Sequence, residues 1–314
     1  MNAQDRALPV AVAEPPRGLG PGAYLVCFKG IVWREVLRFI HQRERFLSAL
    51  VRPLVWLFIF AAGFRQVLGV SIIPPYESYV LYEVFVAPGL IGMILLFNAM
   101  QSSLSMVYDR ETGAMRTLLV SPFPRSFLLF SKLVGGVAVA LLQVYVFLVI
   151  AYFWEIEPTG APLAIGGGLA IPAPWNGYIT LLPALLLSGL MLGALALFMS
   201  SVIRQLENFA GVMNFVIFPM FFASSALYPI WRIRESSPLL ATIAHLNPFT
   251  HAVELIRFAM YGQIGPRLES GGLDLTHLYV VLGCTALFLG AAVYAYNPSK
   301  GLIGRRGGPG GGGG

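Results

Sequence analysis

Charge is scarce in this chain. Asp, Glu, Lys and Arg make up 11% of its 314 residues, against about 25% in a soluble domain, so a water-soluble globule is excluded. Lysine is rarer still: Lys29, Lys132 and Lys300 are the whole supply, and they precede Gly, Leu and Gly. With no Gly-Lys-Ser/Thr there is no P-loop to cradle a nucleotide's phosphates, and ATP and Mg, if used, belong to another chain. The two cysteines, Cys27 and Cys284, are too few and too distant for a disulfide framework and read as buried thiols. Four histidines, His41, His245, His251 and His277, form no metal set; His251 with Glu254 three residues on is the tightest spacing and falls short of one. No Ser-His-acid or Cys-His arrangement is legible, so no catalytic residue is assigned. The first 22 residues are rich in Pro, Ala and Gly and hold no apolar core of the signal-peptide kind. Residues 1–22 and the Gly-rich tail 299–314 are expected to be disordered.

What the chain has instead is apolar sequence, 57% of it, in blocks of the roughly 20 residues that carry a helix across about 30 Å of hydrocarbon. The period-two pattern of a barrel is missing. The expected fold is an all-α polytopic membrane protein whose transmembrane domain runs over 23–298. Six spans are read at about 47–68, 84–106, 133–153, 178–200, 210–230 and 277–296. Before them, Arg34, Arg38, His41 and Arg45 fall on one helical arc, and Phe28, Val32, Val36 and Phe39 on another. That pattern suits an amphipathic helix in the headgroup layer, or a first helix packed on a partner. Between spans five and six, apolar stretches flank Asn247-Pro248; because Pro disfavours helix in the residue before it, two short helices are expected there, dipping into the outer leaflet or lying on it.

Lys and Arg set the orientation. With both termini in the cytosol, 16 of the 21 basic residues lie inside, and the outer loops 69–83 and 154–177 carry none. The connector "DRETGAMRTLLVSPFPRSFLLFSK", 109–132, is then cytoplasmic. Within it Met115, Leu118 and Leu119 share a helical face, Gly113 permits a sharp entry, and Pro122 and Pro124 end the helix. Such an element can dock into a groove on a partner, or it is a charged loop that satisfies the orientation rule.

Two polar or aromatic stripes stand out inside spans. Asn98, Gln101, Ser102 and Ser105 line up in span two, and Asn214, Phe218, Phe221 and Phe222 in span five. Such stripes face protein or a water-filled path: either interhelical hydrogen bonds or the wall of a cavity for an amphipathic or lipid-like cargo. Gly189 and Gly193 form a GxxxG in span four, which implies close packing within the subunit or across a dimer.

The connector resembles the segment after the second span of ABC-2 type permeases. Glu111, Gly113, Leu118, Leu119, Ser121, Pro122 and Lys132 match that pattern; Ala114 replaces the usual Thr, and Arg116 stands where an acid is common. A second stretch, "LNPFTHAVELIRFAMYGQ", is similar to the family's segment before the last span, through Asn247, Pro248, Phe249, Thr250, Glu254 and Arg257. "FPMFFASSALYPI" adds a third likeness. The resemblance covers most of 25–298 and is nearest the branch of nodulation-factor, polysaccharide and daunorubicin exporters. It implies a non-enzymatic permease in the bacterial cytoplasmic membrane, paired with a second permease, most simply an identical one, and with a cytosolic ABC ATPase that docks on 109–122 through Glu111, Gly113, Met115, Arg116, Leu118, Leu119 and Pro122. It gives no nucleic-acid role. Two other classes compete. An ATPase-independent transporter or channel would carry intramembrane acids, and spans two to six hold none well inside; Glu83 and Glu254 lie near interfaces. A membrane-embedded enzyme would need a catalytic constellation.

Overall fold

In the computed structural model, which describes residues 20–41, 50–59, 63, 82–111, 122–154, 156–158, 175–203, 205–261 and 275–295, every regular element is a helix. In chain order these are α1 (Pro21–His41), α2 (Leu50–Ile59), α3 (Tyr82–Glu111), α4 (Arg125–Ala151), α5 (Trp175–Val202), α6 (Leu206–Phe222), α7 (Ile230–Ser236), α8 (Pro238–Leu246), α9 (Pro248–Tyr261) and α10 (Leu275–Ala295). Among the described residues four helices, α3, α4, α5 and α10, are long and apolar enough to cross a membrane; α2 and α6 are shorter apolar helices. The terminal segments 1–19 and 296–314 lie outside the described residues.

The bundle is built around α3 and α5, which pack on each other and together meet α4, α6, α9 and α10. Within the most apolar 18-residue stretch of α3, 83% of the residues are buried, against 11% in that of α10. The first is therefore the core of the subunit, and the second packs on α5 and α9 along one side and leaves the other exposed. At thirty residues α3 reaches about 45 Å, longer than the roughly 30 Å of a bilayer's hydrocarbon. The helix α4 begins at Arg125, eight residues before the expected span, because "RSFLLFSK" continues the same helix.

The helical arcs of the first segment hold in α1. Arg34, Arg38 and His41 are exposed, while Phe28, Val32, Val36 and Phe39 turn inward; Arg45 lies outside the described residues. The inward face packs on α4, where Gly135 leaves room for the Glu35 side chain. Near its start the Tyr24 ring meets Phe123 and Phe127 edge-on, at 5.2 and 5.0 Å between centroids.

Two expectations change before the last span. The fifth apolar helix stops at Phe222, not near 230. Ser224 Oγ donates to the Phe221 carbonyl at 2.6 Å and accepts from the Ala226 N–H at 3.2 Å, a local side-chain turn that competes with helix. Beyond it there are three short helices rather than two. Ser237 accepts from the Leu240 N–H at 3.4 Å with Pro238 at the first helical position, a cap that starts α8. The helix α9 does not lie on the surface. Phe249, Thr250, Ala252, Val253, Leu255, Ile256 and Met260 are buried, because α9 packs against α3, α5 and α10.

Candidate functional site

The break between α8 and α9 is held by one side chain. Asn247, extended as a residue before Pro should be, donates from Nδ2 to the carbonyls of Met220 at 2.7 Å and Ala223 at 2.9 Å. Its Oδ1 accepts the Phe249 N–H at 3.0 Å. The last carbonyls of α6 and the first amides of α9 are thus satisfied together, as helix ends require. Two turns on, Arg257 is 2% exposed and ion-paired to Glu254. It also donates from Nη2 to the Ser225 carbonyl at 2.9 Å and, more weakly, to that of Phe85 at 3.4 Å, and its guanidinium lies 4.2 Å from the Phe85 ring centroid. A buried arginine needs such partners. Asn247, Pro248, Glu254 and Arg257 therefore form the joint that fixes α9 to α3 and to the turn after α6.

Small residues set how closely the helices approach. A side-chain carbon on Gly89 would fall 2.7 Å from the Ala226 carbonyl oxygen, and one on Gly92 would fall 3.1 Å from Phe249 and Val253. The GxxxG of α5 faces α4: Gly189 lies against Val137 and Gly193 against Leu133, so this pair packs within the subunit.

The polar stripe of α3 also turns toward α4. Asn98 Nδ2 donates to Gln143 Oε1, and Ser102 lies against Gly136, where a side-chain carbon would come within 2.8 Å of its Oγ. Ser105 Oγ donates to the Ser102 carbonyl at 2.7 Å. Gln101 is half-buried. Gln143 was not singled out in the sequence, yet it and Tyr145 are the polar residues of 133–151, and a lone amide in an apolar run needs a partner.

The stripe of α6 divides. Phe221 is fully buried against Trp56 and Phe249, at 6.0 and 6.2 Å between ring centroids. Asn214, Phe218 and Phe222 are exposed, together with Phe215 at 78%. Trp56 ties α2 to α6 through Phe222 as well, at 6.0 Å, and the neighbouring α2 leaves Val51, Val55 and Phe58 uncovered. Arg52, near the start of α2, lays its guanidinium 3.9 Å from the Phe97 ring centroid, a cation–π contact that holds α2 to α3. The exposed side of α6 is thus mainly apolar toward its end, with the amides Asn208 and Asn214 exposed as well.

At the other end of α3, Glu111 closes the helix and exposed Pro122 reopens the described chain. Gly113, Met115, Arg116, Leu118 and Leu119 lie outside the described residues.

The ABC-2 type transporter family profile matches residues 27–261, which spans α1 to α9 and both of the motifs above. The chain belongs to the ABC-2 type transporter family. It is similar to the transport permease ycf38 of Pyropia yezoensis, 27% identical over 231 residues, or 73% of this chain and 72% of that one. It is also similar to nodulation protein J of Neorhizobium galegae, 23% identical over 258 residues, covering 80% and 85%. The multidrug ABC transporter permease YbhR of Escherichia coli K12 is 30% identical over 219 residues, covering 68% of this chain and 52% of YbhR. An ABC-2 permease is the multi-pass membrane subunit of an ABC exporter, and the family generally works with a cytosolic ABC ATPase. The apolar helices and the family agree on a membrane-embedded chain.

Proposed function

We propose that this permease crosses the bacterial cytoplasmic membrane six times with both termini in the cytosol, and that two copies form the export path. The helices α2 and α6 supply the spans that α3, α4, α5 and α10 do not. In this reading the exposed face of Asn214, Phe218 and Phe222 meets its counterpart in the second copy, and the aromatic wall suits an amphipathic or lipid-like cargo. Asn98, Gln101 and Ser102 of α3 belong to the same path if they exchange their contacts with α4 for cargo as the bundle moves.

The force arrives from a separate ATPase that binds ATP and Mg. Glu111, Gly113, Met115, Arg116, Leu118, Leu119 and Pro122 form the cytoplasmic helix that docks on it. The observation that carries the reading is the family match over 27–261, which includes this charged connector. The positive-inside count supports the cytoplasmic placement. For the ATPase to drive the gate, its two nucleotide states must contact the connector differently.

The substitution Gly113→Pro tests it. The variant should insert in the membrane as the parent does, but lose transport-coupled ATP hydrolysis in vesicles that contain the ATPase. Unchanged coupling in a correctly inserted variant sinks the assignment.

A further inference from the structure

Arg52 of α2 places a charge midway along the core helix of the bundle. Its guanidinium lies 3.9 Å from the centroid of the Phe97 ring. Phe97 has 15 residues of α3 before it and 14 after, so it stands about 22 Å from one end of that helix and about 21 Å from the other. A bilayer's hydrocarbon is about 30 Å thick. Wherever such a slab is placed along the roughly 45 Å of α3, it contains Phe97. The arginine has therefore not stretched out to a headgroup layer, as a long basic side chain near a helix end can. It holds its cation at hydrocarbon depth.

That cation is only partly met within the subunit. The ring face attracts it, but a ring supplies no counter-charge, and a guanidinium has five N–H donors to satisfy. Among the described residues no carboxylate forms an ion pair with Arg52, and the residue is exposed. A basic group at such depth does not face lipid tails; it faces protein or a water-filled path.

Beside it the surface is aromatic. Trp56, one turn along α2, has its ring 6.0 Å from those of Phe221 and Phe222, and Phe222 stacks on Phe218 at 6.3 Å. Phe218 and Phe222 are exposed, as are Val55 and Phe58 of α2. Arg52 thus borders an apolar and aromatic face shared by α2 and α6.

We propose that Arg52 reads an anionic group on the cargo: its guanidinium takes the phosphate or carboxylate of an amphiphile in transit, while Trp56, Phe218 and Phe222 take the chain. A guanidinium fork matches two oxygens of either group. Depth separates cargo from resident lipid, because a phospholipid of the bilayer keeps its headgroup at the surface and an anion beside Phe97 is one being carried across. The cargo proposed above is thereby narrowed to anionic amphiphiles, a step that rests on the reading of the α6 face as the export path.

Quenching of Trp56 tests this without ATP, the ATPase or transport. The full permease is held in nanodiscs of neutral phosphatidylcholine and titrated with ω-bromoundecyl phosphate or ω-bromoundecanol, whose bromine quenches a nearby indole. Trp56→Phe identifies the Trp56 share of the signal. At equal mole fraction in the bilayer, the phosphate should bind about tenfold more tightly than the alcohol, the scale of a hydrogen-bonded charge. Arg52→Gln should abolish that preference and leave the alcohol unchanged. Arg52→Lys should keep part of it, since a point charge remains without the fork. Equal binding of the two probes by the parent, or a preference that survives in Arg52→Gln, overturns the assignment. A diazirine beside the phosphate gives a check that needs no substitution: it should label the parent around 52 and 97, and labelling confined to other helices overturns the assignment too. Loss of quenching when phosphatidylglycerol replaces phosphatidylcholine would give Arg52 to resident lipid and overturn the cargo reading. Failure here leaves ATPase coupling through 109–122 standing, and failure of the Gly113→Pro experiment leaves the anion preference standing.

Discussion

Arg257 donates a 2.9 Å hydrogen bond to the carbonyl of Ser225, and so joins α9 to the turn that ends α6. The same guanidinium holds the Glu254 carboxylate and covers the Phe85 ring, and three segments of the bundle therefore meet at one side chain.

Removing that side chain should cost far more than the net strength of its bonds. Arg257→Met would leave the Glu254 carboxylate, only 15% exposed, without its cation. Breaking one partner of a buried pair costs about 3–5 kcal/mol. The expected result is a clear drop in the thermal midpoint of the detergent-solubilised protein, read by loss of monodisperse elution. Arg257→Met/Glu254→Gln should recover most of it, since the abandoned charge is gone. Equal midpoints for the single and double variants would mean that the ion pair is not the source of the loss.

The glycines of α3 and α5 predict an order. At Gly89 an added methyl meets the Ala226 backbone, its carbonyl oxygen at 2.7 Å and its Cα at 2.8 Å, and backbone cannot step aside without moving the whole turn. At Gly193 it meets Leu133 Cδ1, the end of a flexible side chain. Gly89→Ala should therefore be the more damaging, by about 1–3 kcal/mol of overpacking strain, while Gly193→Ala is tolerated. Midpoints in the reverse order would show that the turn at 223–229 yields more easily than α4.

Asn247 gives a prediction with a pH sign. Asn247→Asp keeps the acceptor for the Phe249 N–H but replaces a donor with a carboxylate oxygen facing the Met220 and Ala223 carbonyls. It should cost as much as Asn247→Ala or more, about 1–3 kcal/mol. Those carbonyls disfavour the charged form and raise the aspartate's folded-state pKa. A raised folded pKa means stability present at low pH and lost as pH rises through it. The Asp variant should therefore recover in acid relative to the Ala variant, and parallel midpoints for the two across pH would contradict the bonding assigned to Asn247.

Which features were legible in the sequence follows from what a linear pattern encodes. The long spans of α3, α4, α5 and α10 were visible because twenty consecutive apolar residues have few other uses. The faces of α1 were visible because Arg34, Arg38 and Phe39 obey a 3.6 period. The end of α6 was not, because Ser224 stops the helix through hydrogen bonds to its own backbone, and a hydropathy window counts that serine as a small perturbation. The burial of α9 was hidden as well: its polar residues, Thr250, His251, Glu254 and Arg257, suggest a surface helix until their partners on other elements are known. The contact between His251 and His277, 2.9 Å between their Nδ1 atoms, joins residues 26 positions apart, and no local rule connects them. In the two stripes, spacing found the residues but not their partners. Asn98 turned out to bond Gln143, whereas Asn214 and Phe218 are uncovered.

That contrast leads to the last prediction. Within one subunit Asn98 is committed to α4, while the Phe218 ring is 44% exposed and stacks on Phe222 of its own helix, at 6.3 Å between centroids. If the α6 face meets a second copy, Phe218→Cys, in a background with Cys27 and Cys284 replaced by alanine, should cross-link to itself in native membranes under mild oxidation. The yield should change when the ATPase is trapped with nucleotide, because gate movement alters the separation. Cysteine at Leu287 of α10, exposed to 66% but on a different helix from Phe218, is the control and should not cross-link. Replacing Asn98 with leucine separates structure from transport. As an interhelical bond it contributes about 1 kcal/mol, so Asn98→Leu and Gln143→Leu should lower the midpoint alike and the double variant no further. If Asn98 also touches cargo, Asn98→Leu should reduce transport well below Gln143→Leu at matched stability. Equal transport by the two variants assigns Asn98 to packing, and cross-linking at Leu287 as efficient as at Phe218 removes the α6 face as the place where two copies meet.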